Sequence, residues 1–289
     1  MGQFDPNELS GYSRGVSSQR YSTATKRSAT KKKVVLAVVI ILVALLAVAG
    51  VAVATFLHNV NNNIAIDEQN LEDLKEQLVA PQQPDEPYYT LLIGSDSRDP
   101  SDSGRSDTII LMRVDPKVPQ VTLLSIPRDT EIQLEGYGTQ KINAAFSYGR
   151  EAGAVKAVSE LCGVPIAHFV EIDFQGVIDL VDMLGGVRVN VPVDVELNGI
   201  SIPAGEQFLD GEKALLFSRC RNYPTGDFQR VINQRILIQA IAKEVLRASA
   251  TEIPALIDKL STCVATDVSA TDAIAMVMAV RGLDTQSNM

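Results

Sequence analysis

Residues Tyr88–Thr130 read YYTLLIGSDSRDPSDSGRSDTIILMRVDPKVPQVTLLSIPRDT. Three apolar, β-branched runs lie within this stretch: Tyr89–Ile93, Thr108–Val114 and Val121–Ile126. Turn-rich segments separate them, and runs of this kind predict adjoining strands of a buried sheet. A short polar motif sits at the edge of each: GSDSR (Gly94–Arg98), GRSDT (Gly104–Thr108) and SIPRDT (Ser125–Thr130).

Downstream, the apolar period changes. Asn143–Cys162 has helical spacing, Phe169–Ile172 reads as a strand, and Phe174–Leu184 as an amphipathic helix punctuated by Gly185 and Gly186 before a strand at Val187–Val191. A long apolar helix is expected from Phe228 to Ala248, and two more helices over Thr251–Met289, with Ser269 or Thr271 as a cap. Strands alternating with helices in this order predict an α/β domain, a central mixed β-sheet flanked by helices (α/β/α), over 88–289.

Upstream, Val34–Leu57 carries no charge over 24 residues. As a helix it spans about 36 Å, enough for a bilayer core of about 30 Å. It is longer than the apolar part of a cleaved signal peptide, about 7–15 residues. Lys26–Lys33 is basic, whereas His58–Asp67 has no Lys or Arg; the positive-inside rule therefore places the N-terminus in the cytoplasm and the C-terminal domain outside. Residues 1–33, rich in Ser, Thr and Lys, read as a disordered tail. Residues 58–87, ending in PQQPDEP, read as a spacer between membrane and domain, with the charged stretch Ile66–Val79 open to a helix.

Seven of the 26 Lys and Arg residues precede Val34, against two acids, which leaves 19 basic and 33 acidic residues in the remainder. So acidic a chain repels a nucleic-acid backbone, and its arginines read as a local pocket. Arginine presents a permanently charged fork suited to phosphate, and aspartates in the same pocket suit a hard divalent cation. The combination points to a pyrophosphate site.

Spacing sharpens the candidates. Asp96 and Asp107 end one expected strand and begin the next, so a hairpin would bring them together to hold Mg²⁺ or Mn²⁺. In SRCR (Ser218–Arg221), Arg219 and Arg221 leave the same face of an extended segment but diverge on a helix. In GDFQR (Gly226–Arg230), Asp227 resembles an N-cap, and Arg230 and Gln234 share one face of a helix whose N-terminus favours anions. His168 reads as a satisfied structural histidine. Cys162, Cys220 and Cys263 admit either a Cys162–Cys263 bridge or three thiols.

Taken in order with KINAAF (Lys141–Phe146) and DLVDMLGGV (Asp179–Val187), these motifs resemble the LytR-CpsA-Psr family of membrane-anchored bacterial phosphotransferases over roughly Tyr88–Arg247. The resemblance implies transfer of a glycopolymer phosphate from a polyprenyl-pyrophosphate carrier to a peptidoglycan or other envelope hydroxyl, in a mainly Gram-positive envelope. Teichoic acid, capsule, arabinogalactan and glycoprotein glycans all remain open as the polymer. By motif it assigns Asp96 and Asp107 to the metal, and Arg98, Arg128, Arg219 and Arg221 to the pyrophosphate. Asp227, Arg230 and Gln234 match the family signature at the helix start, and Lys141 is a further head-group candidate. Asn233, where the family often has a basic residue, and the short loop Arg221–Gly226 depart from the pattern. The lipid carrier would need an apolar channel, for which Phe174–Leu184 and Ile232–Leu246 are the available walls. Two alternatives stand beside transfer: pyrophosphate hydrolysis at the same site, and a non-catalytic lipid-pyrophosphate sensor signalling through the basic tail.

Overall fold

The computed structural model describes residues 26–64, 66–83, 85–95, 106–118, 120–197, 199–224 and 227–280. The chain divides into two compact units, Met1–Val53 and Ala54–Met289. Helix α1 (Lys26–Asn63) begins eight residues before the apolar run. Lys26–Lys33, expected to belong to the disordered tail, is therefore helical; Lys, Arg and Ala are good helix formers and extend a helix already nucleated by the apolar stretch. Within α1, Val39–Asn63 has a mean hydropathy of 2.9, long and apolar enough to cross a membrane by length and composition.

In the second unit, a five-stranded sheet has the order β11-β6-β1-β2-β3. Strands β1 (Tyr88–Ser95), β2 (Ser106–Asp115) and β3 (Gln120–Ser125) are the three runs of the opening stretch, paired antiparallel in sequence order. β6 (His168–Ile172) adds parallel to β1 after the crossover through α3 (Asn143–Cys162), and the two-residue β11 (Ala265–Thr266) closes the edge antiparallel to β6. The sheet is thus mixed, as expected.

Strand periodicity divides β1 between two environments. Leu91 and Ile93 enter a core with Ile109, Leu111, Phe146, Val155, Val158 and Phe169, under α3. Helix α2 (Glu68–Gln77) closes this side, and its Leu74 is fully buried in the same core. The segment read as a spacer is therefore partly folded: the Leu71, Leu74 and Leu78 spacing buries one helical stripe, and Asp67 caps the helix by accepting from Gln69 N. The end of α1 joins in, with Val60 and Ile64 packed around Ala270.

The small elements escaped the sequence reading. Between β3 and α3 stands the hairpin β4 (Glu131–Leu134) and β5 (Gly138–Lys141). After α4 (Phe174–Met183), β7 (Val187–Val191) pairs with β10 (Gly205–Leu209), and β8 (Val195–Leu197) with β9 (Ile200–Ile202). Helices α5 (Gly211–Arg219) and α6 (Asp227–Arg247) pack on β7 to form a second core around Val187, Val189, Phe217 and Leu237. Short helices α7 (Ile253–Leu260) and α8 (Ala270–Ala279) complete the unit, α8 capped by Ser269 accepting from Asp272 N. Gly185 and Gly186, at φ 78° and 92°, make the turn from α4 into β7 that the Gly-Gly pair announces.

Candidate active site

The first site residue is placed by a strand irregularity. Gly94 pairs with Thr108 and Ser95 with Ser106, so Asp107 falls in a bulge with no cross-strand partner. Such a bulge re-aims a side chain at a sheet edge. Gly94 is required there, because a Cβ on it would lie 2.9 Å from Thr108 Cβ. The hairpin expected to join Asp96 to Asp107 is present up to Ser95 and Ser106; Asp96 and Arg98 lie outside the described residues.

Arg128 follows β3, whose register continues as Ile126 N bonds Ile109 O. Its Nη1 donates to Asp107 Oδ1. The loop is fixed from behind: Asn143 N donates to Arg128 O and Ile142 N to Thr130 O. Lys141 Nζ bonds Asp129 Oδ1 at 2.6 Å, which places this exposed lysine one residue from Arg128.

The second arm comes from α5 and α6. Arg221 Nη2 is 3.9 Å from Asp107 Oδ1 and its Nε 3.7 Å from Asp227 Oδ1, so it bridges the two carboxylates. Arg230 Nη2 bonds Asp227 Oδ2 at 2.9 Å. Arg230 is only 3% exposed; burial holds its guanidinium below the usual range, the positive charge of Arg221 adds to that, and Asp227 opposes it. Asp227 is the first residue of α6, and its carboxylate serves the arginines. Arg128, Asp107, Arg221, Asp227 and Arg230 form one chain of alternating charge with a cation in excess. Two of its donors, Arg128 Nε and Arg230 Nε, are buried without a hydrogen-bond partner. Arg128 Nε has Asp129 Oδ2 3.8 Å away, beyond hydrogen-bond reach; buried donors left unpaired are costly, and an anion bound at the cluster could supply an acceptor.

Arg219 and Arg221 do not act as two parallel prongs. Arg219 ends α5 and Cys220 is extended (φ −60°, ψ 132°), so the helix stops between them. The Arg219 guanidinium lies 4.0 Å from the centre of the Phe174 ring, a cation–π contact. No ion pair of Arg219 occurs among the described residues. Gln234 lies one turn beyond Arg230, as expected, and donates to Ser218 O at 3.4 Å. Asn233 is fully buried; it donates to Phe217 O and Tyr223 Oη and accepts from Gln229 Nε2. It therefore locks α6 to α5 rather than facing a substrate. Burial pushes the Tyr223 hydroxyl up to about 12, so it stays protonated.

An apolar cavity of about 530 Å³ runs between the second face of the sheet and helices α4, α6 and α8. Thr90, Leu92 and Gly94 of β1 line it, opposite Val177 and Leu180 of α4, Leu237 to Leu246 of α6, and Met276 of α8. Gly94, Thr108, Ser218 and Gln234 line it where β1, β2, α5 and α6 carry the charged motifs. Both helices named as channel walls contribute; α8 and the contacts of Ser218 and Phe174 were missed, because nothing in their local sequence marks a tertiary neighbour.

Other expectations resolve plainly. His168 Nδ1 pairs with Asp267 Oδ2 at 2.9 Å and the ring meets Tyr88 edge-on, a satisfied structural role. All three cysteines are thiols: Cys220 is buried beneath β8, near Glu196 O, and Cys263 lies near Met183 Sδ, away from Cys162. Among the described residues no three His, Cys, Asp or Glu side chains converge as a metal site. Asp107 alone of the expected metal pair is placed, with its carboxylate at the charged cluster.

The family model LytR_cpsA_psr matches residues 53–288. The polyisoprenyl-teichoic acid–peptidoglycan teichoic acid transferase TagU of Halalkalibacterium halodurans is 38% identical over 187 residues, 63% of this chain and 62% of that protein. The chain thus spans about three fifths of that relative's length. Among solved structures, B. subtilis TagV superposes with TM-score 0.65 at 33% identity, covering 71% of this chain and 83% of that one. TagT bound to LI-WTA gives TM-score 0.60 at 27% identity, covering 72% and 80%. With its fold, its ordered motifs and the match across most of its length in agreement, the chain belongs to the LytR_cpsA_psr (LytR-CpsA-Psr) family.

Proposed function

We propose that this chain is a membrane-anchored phosphotransferase, N-terminus cytoplasmic and domain outside, that moves a glycopolymer phosphate from a polyprenyl-pyrophosphate carrier to a peptidoglycan or other envelope hydroxyl. One observation carries the reading: an apolar cavity whose lining includes Ser218 and Gln234 beside an arginine cluster with two unpartnered buried donors, Arg128 Nε and Arg230 Nε. A lipid chain withdrawn from water gains about 0.8 kcal/mol per CH₂, so the cavity suits the isoprenyl tail. The clamp suits the pyrophosphate. The relatives' names as teichoic acid transferases agree in reaction type.

In the reaction proposed, the acceptor oxygen attacks the phosphorus next to the glycopolymer and forms a phosphodiester. The P–O bond of the pyrophosphate breaks, and polyprenyl phosphate leaves. The acceptor proton passes to a carboxylate of the cluster, with Asp227 the candidate that the proposed metal would not neutralise. Arg128, Arg221 and Arg230 spread charge off the equatorial oxygens as the bond breaks, an effect worth about 10³–10⁵ in rate for arginine in phosphoryl transfer. Arg219, stacked on Phe174, and Gln234 hold the junction of cavity and clamp, while Arg98 and Lys141 are assigned to the head group. Asp96 and Asp107 are the proposed ligands of Mg²⁺ or Mn²⁺, an ion that would neutralise phosphate charge. Asp107 fits: its carboxylate is already the anionic centre of the cluster, and a cation there would release Arg128 toward the phosphate.

The full-length protein in detergent, given a lipid-linked glycopolymer and peptidoglycan fragments, is expected to form the phosphodiester product. Arg128→Ala is expected to lower turnover by about 10³ or more while circular dichroism stays native. Saturable lipid binding with neither transfer nor hydrolysis on any wall acceptor would leave the sensor reading in its place.

A further inference from the structure

One wall of the apolar cavity is built from short elements. Thr266 of β11, Val268 of the turn that follows, and Ala273, Met276 and Val277 of α8 all line the chamber. β11 has two residues and α8 ten, and a helix under about 12–15 residues is marginal by itself. Such elements take their position from their neighbours.

Here the neighbour is the end of α1. Asn61 Oδ1 accepts from Ala270 N at 2.9 Å, across 209 residues of sequence. Ile64 O accepts from Thr266 N at 3.0 Å, and Asn63 Nδ2 donates to Ser261 Oγ at 3.1 Å. These bonds land at the start of α8, in β11 and just past α7, so residues 61–64 bracket the whole segment 261–270. Val60, fully buried, and Ile64 pack on Ala270 beside them. The first N–H groups of any helix lack intrahelical partners. In α8 that of Asp272 goes to Ser269 Oγ, a local cap, whereas that of Ala270 goes to Asn61 and couples the helix to a distant part of the chain. Without Asn61 Oδ1, the N–H of a fully buried residue would be stranded.

We propose that Asn61, Asn63 and Ile64 are positioning residues for the lipid-linked donor: they fix β11 and α8 as one wall of the chamber and so set its fit to a long isoprenyl chain. None of the three lines the chamber; they act through Thr266, Ala270 and the helix that Ala270 begins. The inference rests on the reading that the chamber holds the isoprenyl tail.

The test uses full-length protein in detergent, one long-chain and one short-chain polyprenyl-pyrophosphate donor, and polyprenyl phosphate alone as a binding probe. Asn61→Ala is expected to speed hydrogen exchange of the α8 amides by about fivefold. KM for the long-chain donor is expected to rise by a similar factor, with kcat and the short-chain KM at wild-type values. Asn61→Asp keeps the acceptor oxygen and is expected to restore both signals. Faster exchange with an unchanged long-chain KM would make Asn61 a plain helix cap and overturn the proposal. Equal KM rises for the two donors, or no change in either readout, would overturn it as well. If Asn61→Ala does not fold, Asn63→Ala is judged by the same KM comparison. Should the wild type transfer neither donor, the phosphotransferase reading fails by itself and binding of polyprenyl phosphate decides: weaker binding in Asn61→Ala supports the proposal, and an unchanged Kd overturns it.

Discussion

Arg219 and Arg221 are two residues apart and serve different partners, because α5 ends between them: one stacks on Phe174, the other bridges Asp107 and Asp227. The motif that looks like a pair of equal prongs is therefore a hinge between a helix end and a charged cluster. Lysine can replace neither function fully, since stacking and bridging both use the planar guanidinium. Arg221→Lys is expected to lower kcat with little change in the fold. Arg219→Lys is expected to act mainly through KM for the lipid donor, and Phe174→Leu to reproduce that effect in the same steady-state assay. Equal kcat losses in all three variants would contradict this division.

Asp227 holds a guanidinium that burial already disfavours. Asp227→Ala leaves Arg230 charged and without its partner, which by the usual worth of a charged hydrogen bond costs about 1.5–3 kcal/mol. Urea unfolding of the full-length protein measures it. Asp227→Ala combined with Arg230→Met, which removes the stranded charge, is expected to recover part of the loss.

Glu171 provides a pH signature. Its carboxyl lies above the usual 4.5, chiefly through burial, so the folded protein binds that proton more tightly than the unfolded chain. Its contribution is therefore fully present below the unfolded value and is lost as pH rises through the folded one. In EDTA, Glu171→Gln is expected to raise the thermal midpoint at pH 7, leave it unchanged at pH 4, and flatten the slope between. An identical slope in wild type and variant would assign it to other groups.

Gly186 combines φ 92° with a Phe208 ring atom 2.3 Å from where a Cβ would stand. Gly186→Ala therefore meets backbone strain and a clash together, and a loss of about 1–3 kcal/mol is expected in urea unfolding. Gly185 also has positive φ but nothing within 4 Å of its Cβ position, so Gly185→Ala is expected to cost less.

Ile238 lines the cavity from α6. Ile238→Trp fills space that the proposed isoprenyl tail would use, and is expected to raise KM more for a long-chain donor than for a short-chain one, by about tenfold or more. An equal effect on both donors would place the tail elsewhere.

The sequence reading succeeded where one face decides the structure. Val187–Val191 alternates strictly and was delimited to the residue, and β1, β2, β3 and β6 shifted by one or two residues at their ends. It failed at short pairings such as β4–β5 and β8–β9, whose few residues carry too little periodicity to separate from turns. Helix α2 falls inside the Ile66–Val79 stretch read as open to a helix, but its Leu71–Leu74–Leu78 stripe, set in a proline-rich, acidic neighbourhood, was not read as core. In the site, Asp107, Arg128, Arg221, Asp227 and Arg230 of these motifs meet because each lies at or just beyond the end of an element, while Gln234 lies one turn further along α6. The bearing of Arg219 depends on where α5 stops, and the partners of Asn233, Phe217 O and Tyr223 Oη, come from 16 and 10 residues away, so neither set of contacts is legible in a local motif.

The two-residue alternation of β1 has a consequence for how this protein can change. Leu91 and Ile93 hold the core, while Thr90, Leu92 and Gly94 line the cavity, which Ile93 also touches at the end of the strand. Stability and the shape of the apolar chamber are thus written on alternate letters of one strand. Substitutions at Thr90 and Leu92 can retune the chamber while Leu91 and Ile93 keep the sheet, whereas a single-residue insertion or deletion would exchange the two sets and forfeit both at once.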